Sequence, residues 1–306
     1  MKAARIHEYG EASVIRHEDV PRPVPASGEV LIDVAATSFN PSEVGLRRGL
    51  LRAIFPLDLP YTLGWDVAGT VVEVGDSVRT LGVGDRVIGQ LDGGAAAQYV
   101  AAAADRLVAA PTAVPLAHAA AIPVAGLTAW QAVFEHARIA AGQRVLVNGA
   151  GGGVGGFTVQ LAKRAGAHVI ATASPRSATA VRQLGADQII DYTTTPLGDA
   201  VDGPVDTVVN LVPISPEQAA ALVPLIRPGG LLVSATIPIE PSSGSLVTGT
   251  RFVARNDPDQ LAALVALVDA GTLHIDVAAS RPLADLASVH REAESARTRG
   301  KILLLP

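Results

Sequence analysis

The stretch Val145-Leu-Val-Asn-Gly-Ala-Gly-Gly-Gly-Val-Gly-Gly-Phe157 decides the fold of this 306-residue chain. An apolar strand runs into a glycine-rich turn, and the turn leads into a helical pattern over 157–165. Aligned as Ala150-x-Gly152-x-x-Gly155, the turn differs from the G-x-G-x-x-G fingerprint only by a small residue at its first position. A second strand, His168-Val-Ile-Ala-Thr172, completes the strand–helix–strand start. The stretch therefore predicts a dinucleotide-binding site.

The small residues of this turn have physical roles. Gly152 lets the backbone approach a pyrophosphate, and Gly155 lets the helix and the strand pack closely. The helix N-terminus offers unpaired N–H groups and the positive end of its dipole to the anion. We therefore predict cofactor contacts along the whole turn, at Ala150, Gly151, Gly152, Gly153, Val154 and Gly155. The alternative is a tight turn in an α/β domain that binds no ligand.

The end of the second strand indicates which nicotinamide cofactor is preferred. About 20 residues past the glycines an Asp or Glu would bind the ribose 2′-hydroxyl of NAD, but the chain reads Ala171-Thr-Ala-Ser-Pro-Arg-Ser177 without an acid. The hydroxyl groups of Ser174 and Ser177 and the guanidinium of Arg176 are suited to cradle a 2′-phosphate. These residues favour NADPH. The alternative is that Arg176 is an ordinary solvated arginine.

Composition bounds the class of protein. The length suffices for two packed domains, and 49% of the residues are hydrophobic. A net charge of −5 gives no basic field for nucleic acid. We find no apolar signal core at the N-terminus and no uninterrupted apolar span, so we expect no membrane partner and a cytoplasmic location. Cysteine is absent, which excludes disulfides, thiolate metal sites and a cysteine nucleophile.

The organisation along the chain is uneven. Residues 1–117 form short β-branched runs punctuated by glycine, which predicts a β-rich domain. Over 118–241 strands and helices alternate, and a helix over 216–226 is followed by a strand from Leu231. This alternation predicts a doubly wound parallel sheet with helices on both faces. The tail, 242–306, carries helical patterns at 258–270 and 283–296 and a final strand at 302–305. We expect this tail to complete the first domain, so the predicted class is α/β with two domains.

Several separated segments resemble a known family. They are Asn40-Pro-Ser-Glu43, Gly64-Trp-Asp-Val-Ala-Gly-Thr-Val-Val-Glu-Val-Gly75, Val83-Gly-Asp-Arg-Val-Ile-Gly89, Ile122-Pro-Val-Ala-Gly-Leu-Thr-Ala-Trp130, the glycine turn, Leu184-Gly-Ala-Asp187, Arg227-Pro-Gly-Gly230 and Arg299-Gly-Lys-Ile302. Over nearly its whole length the chain resembles the medium-chain dehydrogenase/reductase superfamily, and within it the zinc-free quinone oxidoreductases of the zeta-crystallin type. The resemblance implies a GroES-like catalytic domain, an inserted Rossmann domain and an active site in the cleft between them.

The resemblance also bears on metal chemistry. The Gly-His-Glu segment that binds zinc in metal-dependent relatives matches Gly64-Trp65-Asp66, and tryptophan cannot replace imidazole as a ligand. The cysteine-rich lobe of the structural zinc is absent as well. We therefore predict no metal. Without a Lewis acid, hydride addition to a quinone or to an α,β-unsaturated carbonyl is favoured over alcohol oxidation.

Further site residues are implied by the resemblance. Asn40 and Thr128 match residues near the nicotinamide, and Asn40 could orient the cofactor or donate a hydrogen bond to a substrate carbonyl oxygen. The alternatives are a turn residue before Pro41 for Asn40 and a helix-start hydroxyl for Thr128. Tyr192 matches a tyrosine near the adenosine 2′-phosphate. Asn210 begins Asn-Leu-Val-Pro, where relatives show Asp and a glycine-rich turn along the cofactor cleft.

The proton donor is harder to assign. Gly45 stands where relatives often place a Tyr or Lys, and Glu43 stands where an Asp is common. Tyr61, Glu43 and Asp66 are the other candidates, or water supplies the proton.

The predicted function is an NADPH-dependent, zinc-independent reductase of a quinone or a conjugated carbonyl. Two alternatives are a specialised biosynthetic enoyl or ketone reductase and a catalytically weak NADPH-binding protein. The resemblance also implies a homodimer that pairs along an edge strand near 250–254.

Overall fold

The chain divides into two compact units. The computed structural model describes residues 1–238, 244–295 and 298–306. One unit comprises Met1–Val124 with Asn256–Pro306, and the other comprises Ala125–Arg255. The first boundary lies after Val124 rather than after residue 117, because the short helix over residues 116–119 packs on three strands of the first unit. The boundary predicted at 241/242 and the helix end predicted at residue 296 fall outside the described residues. Residues 244–255 belong to the second unit and not, as predicted, to the first, because the strand over residues 248–251 pairs with the parallel sheet of the second unit.

The first part of the chain contains short strands and helices. In chain order they are β1 (Lys2–Ile6), β2 (Ile15–Asp19), β3 (Glu29–Ser38), α1 (Ser42–Arg47), β4 (Tyr61–Thr62), β5 (Asp66–Val74), β6 (Arg86–Gln90), β7 (Tyr99–Ala103), β8 (Leu107–Ala109), α2 (Leu116–Ala119) and α3 (Pro123–Trp130).

Strands and helices then alternate, as predicted. They are β9 (Arg144–Asn148), α4 (Gly153–Arg164), β10 (His168–Ala173), α5 (Pro175–Gln183), β11 (Gln188–Asp191), α6 (Leu197–Ala200), β12 (Val205–Asn210), α7 (Pro216–Leu222), β13 (Ile226–Ser234) and β14 (Thr248–Arg251). The tail adds α8 (Pro258–Asp269), β15 (Val277–Pro282), α9 (Leu286–Glu294) and β16 (Lys301–Leu305).

The second unit is built on a parallel sheet in the order β11-β10-β9-β12-β13-β14. The strand order reverses between β9 and β12, and ligands of open α/β sheets bind outside the carboxyl ends of the strands at such a point. Its core is apolar, with Leu146, Ile170, Val208 and Leu232 all buried. The predicted doubly wound α/β class is confirmed.

One predicted helix is shorter than its pattern suggested. The helix predicted over 216–226 ends at Leu222 and continues only as a 3₁₀ turn over Val223–Leu225. Pro224 lies in that turn, and a proline has no N–H for the helical ladder. β13 then begins at Ile226, five positions before the predicted start at Leu231.

The first unit holds a seven-stranded sheet in which the chain's tail takes part. Its strands follow the order β15-β16-β3-β5-β6-β8, and β7 also pairs with β3. β16 is antiparallel to β3, with Leu303 opposite Ser38 and Leu304 opposite Thr37. This pairing brings residues from the two ends of the chain together at the end of β3.

Candidate active site

The glycine turn lies at the carboxyl end of the parallel sheet. β9 ends at Asn148, and Gly149 follows with a φ of +97°, a left-handed conformation that favours glycine. Gly152 is the N-cap residue of α4 and supplies no side-chain hydrogen bond to the first turn of the helix. The N–H groups of that turn are therefore oriented for a ligand, and the helix dipole favours an anion.

The glycines of the turn are needed for different reasons. A Cβ on Gly155 would lie 2.2 Å from the carbonyl oxygen of Gly149, so this position requires glycine for the packing of α4 against the turn. A Cβ on Gly151 would lie 2.4 Å from Oγ of Ser177. A Cβ on Gly152 would meet only the Gly149 oxygen, at 3.5 Å. The fold itself therefore tolerates a side chain at 152, and the open space there fits an approaching pyrophosphate.

The residues predicted to hold the 2′-phosphate follow two neighbouring strands. Ala173 on β10 is paired with Asp191 on β11, so Ser174 and Tyr192 leave the sheet side by side. Ser174 is the N-cap residue of α5 and makes no side-chain cap bond. Arg176 lies in the exposed first turn of α5.

Two further side chains complete this edge. Ser177 is buried, and its Oγ donates to the carbonyl oxygen of Ser174 over 3.3 Å. Tyr192 is 55% exposed. The carboxylate of Asp191 accepts from N and Oγ1 of Thr193, at 2.9 and 2.6 Å. Because that carboxylate stabilises its own turn, it does not take the place of the missing acid at the end of β10.

Asn210 lies deeper than the sequence predicted. Its side chain is fully buried, its Oδ1 accepts from Nδ2 of Asn148 over 2.8 Å, and its own Nδ2 donates to the carbonyl oxygen of Val212 over 3.0 Å. The side chain predicted to contact the cofactor is therefore committed to β9 and to the loop that follows β12. Thr128 lies on α3 and is 9% exposed.

A buried polar cluster lies at the end of β3 in the first unit, and we call its members Asn40, Glu43, Asp66 and Lys301 the buried hub. Lys301 Nζ donates to Asn40 Oδ1 over 2.8 Å and lies 3.5 Å from Asp66 Oδ2. Asn40 Nδ2 donates to Asp66 Oδ2 over 2.9 Å and lies 3.4 Å from Glu43 Oε1. The four side chains are at most 4% exposed.

Neighbouring groups complete the hub. Asp66 also accepts from Ser38 Oγ and, over 2.8 Å, from the backbone N–H of Val124 at the start of α3. Glu43 Oε2 accepts from the N–H of Gly64 over 3.1 Å. Asp66 therefore satisfies donors from β3, from α3 and from the loop before α1, which explains how a carboxylate is accommodated in the interior.

Burial shifts the proton affinities of the hub. Loss of solvation and the negative charge of Asp66 raise the pKa of Glu43 from 4.5 to about 7. The Gly64 N–H, the Asn40 amide and the Lys301 charge act in the opposite direction. Burial also lowers the pKa of Lys301, although the two nearby carboxylates oppose the shift.

The hub bears on the role predicted for Asn40. Both ends of its amide are engaged, since Oδ1 accepts from Lys301 while Nδ2 contacts Asp66 and the carbonyl oxygen of Ser38. Donation to a substrate oxygen would require one of these contacts to open. Asn40 was predicted from the sequence as a site residue, whereas no role was predicted for Lys301. A lysine opening the otherwise apolar strand Lys-Ile-Leu-Leu-Leu was the available signal.

The alternative proton donors are also constrained. Tyr61 Oη donates to the carbonyl oxygen of Asp92, and burial raises the pKa of Tyr61 to about 12. Gly45 on α1 has no side chain, so it cannot take the part of the Tyr or Lys that relatives often place there. A Cβ at this position would make only ordinary contact with Leu51, at 3.5 Å.

Two features are absent from the described residues, a cluster of metal-ligand side chains and a membrane-spanning helix. Within residues 1–238, 244–295 and 298–306, no three His, Asp, Glu or Cys side chains are grouped so that they could hold a metal ion. Trp65 is half-buried and contacts Phe55 with its ring, at 6.3 Å between centroids. Across the described part of the chain, no helix is both long enough and apolar enough to span a bilayer.

Family models match both parts of the chain. A model described as "Alcohol dehydrogenase GroES-like domain" matches residues 26–112, and one described as "Zinc-binding dehydrogenase" matches residues 184–304. The first match covers most of the β-rich region before α2. The second begins at the end of α5 and extends into β16.

Curated relatives are similar over much or all of the chain. The "Chloroplast envelope quinone oxidoreductase homolog" of Arabidopsis thaliana is 42% identical over 213 residues, which are 67% of this chain and 64% of the relative. The chain thus spans less than two thirds of that relative. The "NADPH-dependent alkenal/one oxidoreductase, chloroplastic" of the same plant is 32% identical, covering 100% of this chain and 80% of the relative. The human "Quinone oxidoreductase" is 30% identical, and the match covers 100% of this chain and 98% of the relative.

Solved structures share the fold. Escherichia coli quinone oxidoreductase, solved in complex with NADPH, superposes with a TM-score of 0.90 at 26% identity, and the match covers 100% of both chains.

Proposed function

This chain belongs to the quinone oxidoreductase family of the medium-chain dehydrogenase/reductase superfamily, and we propose that it is an NADPH-dependent, zinc-independent reductase. It transfers hydride to a quinone or to the β-carbon of an α,β-unsaturated carbonyl. The observation that carries the proposal is the open turn at Gly152 beside a strand end that lacks an acid and carries Ser174 and Arg176.

The cofactor contacts follow from the geometry of the second unit. The N-terminus of α4 and the turn over residues 150–155 bind the pyrophosphate. Arg176, Ser174, Ser177 and Tyr192 hold the 2′-phosphate, with Arg176 supplying the charge. Bound NADPH supplies the hydride. The buried side chain of Asn210 supports the turn indirectly, through its hydrogen bonds with Asn148 and with the Val212 carbonyl oxygen.

The chemistry needs no Lewis acid. When hydride reaches an electron-poor acceptor, the carbonyl oxygen takes up the negative charge, and one proton from water completes the hydroquinone or the saturated carbonyl. One family model bears the description "Zinc-binding dehydrogenase", but its match begins at residue 184 and excludes Gly64-Trp65-Asp66. The residues of this chain argue against zinc, because an indole is no zinc ligand and cysteine is absent.

Asn40 has two predicted roles, and its contacts favour one of them. Lys301 and Asp66 hold the amide from both ends, so Asn40 orients the cofactor rather than donating directly to the substrate oxygen. Thr128 stays a proposed neighbour of the nicotinamide.

Assembly and location complete the proposal. The protein forms a homodimer, with β14 at the edge of its sheet and the 56%-exposed Val253 just beyond it available for pairing. It acts in the cytoplasm, which fractionation of the source cells would test.

The test is NADPH consumption with 9,10-phenanthrenequinone and with 2-cyclohexenone, together with NADPH affinity. Turnover of both compounds would support the general reductase. A response restricted to one biosynthetic intermediate would favour the specialised reductase instead. Tight NADPH binding with no turnover across quinones and enones would leave a binding protein and contradict the proposed catalysis.

A further inference from the structure

A chain of side-chain hydrogen bonds crosses the carboxyl ends of four neighbouring strands in the second unit. Its members are Thr172 on β10, Asn148 on β9, Asn210 on β12 and Ser234 on β13. All four side chains are at least nine-tenths buried. We call this set the strand-end chain. It begins at the glycine turn and ends at the loop after β13, where Thr236 joins it.

The hydrogen bonds at the turn fix one end of the strand-end chain. The backbone N–H of Gly149 donates to Thr172 Oγ1 over 2.8 Å. Thr172 Oγ1 then donates to Asn148 Oδ1 over 3.1 Å. Because Gly149 N can only donate, the hydroxyl of Thr172 must accept from it and passes its own hydrogen on to Asn148.

The remaining bonds continue in the same direction. Asn148 Nδ2 donates to Asn210 Oδ1 over 2.8 Å, so Asn210 must present its NH₂ group to the other side. There Nδ2 donates to the Val212 carbonyl oxygen over 3.0 Å and lies 3.1 Å from Thr236 Oγ1. Thr236 Oγ1 donates to the same carbonyl oxygen over 2.9 Å.

This directionality explains why an amide stands at position 210. An aspartate, which the family resemblance leads one to expect there, could accept from Asn148. An ionised aspartate has no hydrogen to donate to the Val212 carbonyl oxygen. That oxygen would then keep Thr236 Oγ1 as its remaining donor of the two. Asparagine is the side chain of this size that accepts on one side and donates on the other.

The strand-end chain reaches the residue that shapes the pyrophosphate turn. The Gly149 carbonyl oxygen accepts from the N–H of Gly152 over 3.1 Å, and it is the atom that a Cβ on Gly155 would strike. The N–H and the carbonyl oxygen of Gly149 belong to successive peptide groups that meet at its Cα. The hydrogen bond from Gly149 N to Thr172 holds the first peptide group and so anchors the Cα from which the second group, with its oxygen, turns. Movement of this anchor would change the spacing between the turn and the start of α4.

We propose that Thr172, Asn148 and Asn210 are positioning residues that couple the loop over 235–237 to the glycine turn, so that the conformation of that loop sets the affinity for the dinucleotide pyrophosphate. The inference rests on the proposed NADPH-binding function. Hydrogen-bonded side chains that act as one unit show non-additive substitution effects, which makes the coupling measurable.

The test uses Thr172→Val, which removes the hydroxyl at the turn, and Thr236→Val, which removes one at the far end. Their double variant completes the cycle, and Thr179→Val on the exposed face of α5 is the control. NADPH affinity is measured by titration. Hydrogen exchange of the Gly149 amide is measured without NADPH, and unfolding midpoints are recorded for every variant.

We expect each single variant to weaken NADPH binding about fivefold, the equivalent of one neutral hydrogen bond. The double variant should bind NADPH no more weakly than the single variant that has the lower affinity. The Gly149 amide should exchange faster in Thr236→Val, although Thr236 makes no hydrogen bond to that peptide. Thr179→Val should change neither quantity.

Additive losses, or unchanged Gly149 exchange and NADPH affinity in Thr236→Val, would overturn the coupling. Failure of the unmodified protein to bind NADPH would instead contradict the proposed function. The exchange measurement would still decide the coupling in that case, because it needs no ligand.

Discussion

At the scale of single residues, Gly152 and Gly155 have the same chemistry but different surroundings. A Cβ at 152 meets only one backbone oxygen at 3.5 Å, whereas a Cβ at 155 would lie 2.2 Å from the same oxygen. Glycine at 155 is thus required by packing of the protein itself, and we expect glycine at 152 to be required by the proposed pyrophosphate contact. This difference can be tested with one substitution made at both positions.

Gly152→Val should abolish NADPH binding while lowering the free energy of unfolding by only about 1 kcal/mol, the usual cost of a poor N-cap residue. Gly155→Val should lower the free energy of unfolding by about 3 kcal/mol or more, because the new side chain is forced against backbone atoms. Denaturant titration and NADPH titration of the two variants measure these effects. Normal NADPH affinity in Gly152→Val would show that the pyrophosphate does not approach this glycine.

Arg176 is the residue on which we expect cofactor choice to depend. Arg176→Ala should narrow the difference in binding free energy between NADPH and NADH by about 1.5 kcal/mol, the low end for a hydrogen bond to a charged group, because this side chain is exposed. Arg182→Ala is the control, since Arg182 is exposed on the last turn of the same helix. Equal affinity of the unmodified protein for the two cofactors would rule out the 2′-phosphate site.

At the scale of secondary-structure elements, the buried hub joins segments that are far apart in the sequence. Lys301 on β16 reaches the carbonyl oxygen of Phe39 over 3.2 Å and the Asn40 side chain over 2.8 Å, while Asp66 opens β5. Removing one partner of a buried charge pair leaves the other uncompensated. The hub therefore holds the end of β3 and the start of α1 against two other strands.

The hub should also make stability depend on pH. The pKa of Glu43 is raised from 4.5 to about 7, so between these values the folded protein holds a proton that the unfolded chain has lost. The contribution of Glu43 to stability is therefore largest below pH 4.5 and falls by about 3 kcal/mol as pH rises to 7, beyond which it is constant.

Denaturant titrations from pH 4.5 to 8 should show this loss in the unmodified protein and its absence in Glu43→Gln. Asp33→Asn removes an exposed carboxylate from β3 and serves as the control, which should keep the loss. The same pH profile in Glu43→Gln and in the unmodified protein would show that Glu43 is ionised normally in the folded state.

At the scale of the whole molecule, the composition determines which metal chemistry is open to the protein. There is no cysteine, and the family resemblance matches Trp65 to a histidine ligand of metal-dependent relatives. Turnover should therefore survive exhaustive chelation with no more than a twofold change, a roughly 0.4 kcal/mol effect on the barrier. Metal analysis should find no stoichiometric zinc. Loss of turnover on chelation that zinc restores would contradict zinc independence.

Assembly is the second property of the whole molecule. The native mass should be twice the 31.3 kDa of the chain. Val253→Glu places a charge beside the free edge of β14 at a 56%-exposed position, so it should yield a monomer with unchanged circular dichroism. Light scattering after size-exclusion chromatography measures the mass. A monomeric unmodified protein would refute pairing along this edge.

The sequence alone determined the parallel-sheet unit and its nucleotide-binding end. Strand, glycine turn and helix are contiguous in the chain, so local periodicity and the small residues at 152 and 155 were enough to predict them. The absence of an acid after β10 was equally readable. The end of α7 was predicted too late, because the helical pattern runs through Pro224 and the effect of the missing N–H was overlooked.

Only the tertiary structure decided what the polar residues do. Lys301 and Asn40 are separated by 260 intervening positions, and no local pattern shows that they meet at the end of β3. Asn210 was placed at the correct strand end, but its burial and its bonds to Asn148 and Val212 depend on the order of the strands. Local sequence sets backbone periodicity, whereas the partners of a buried polar group are set by which strands lie side by side, because such groups must find hydrogen bonds within the fold.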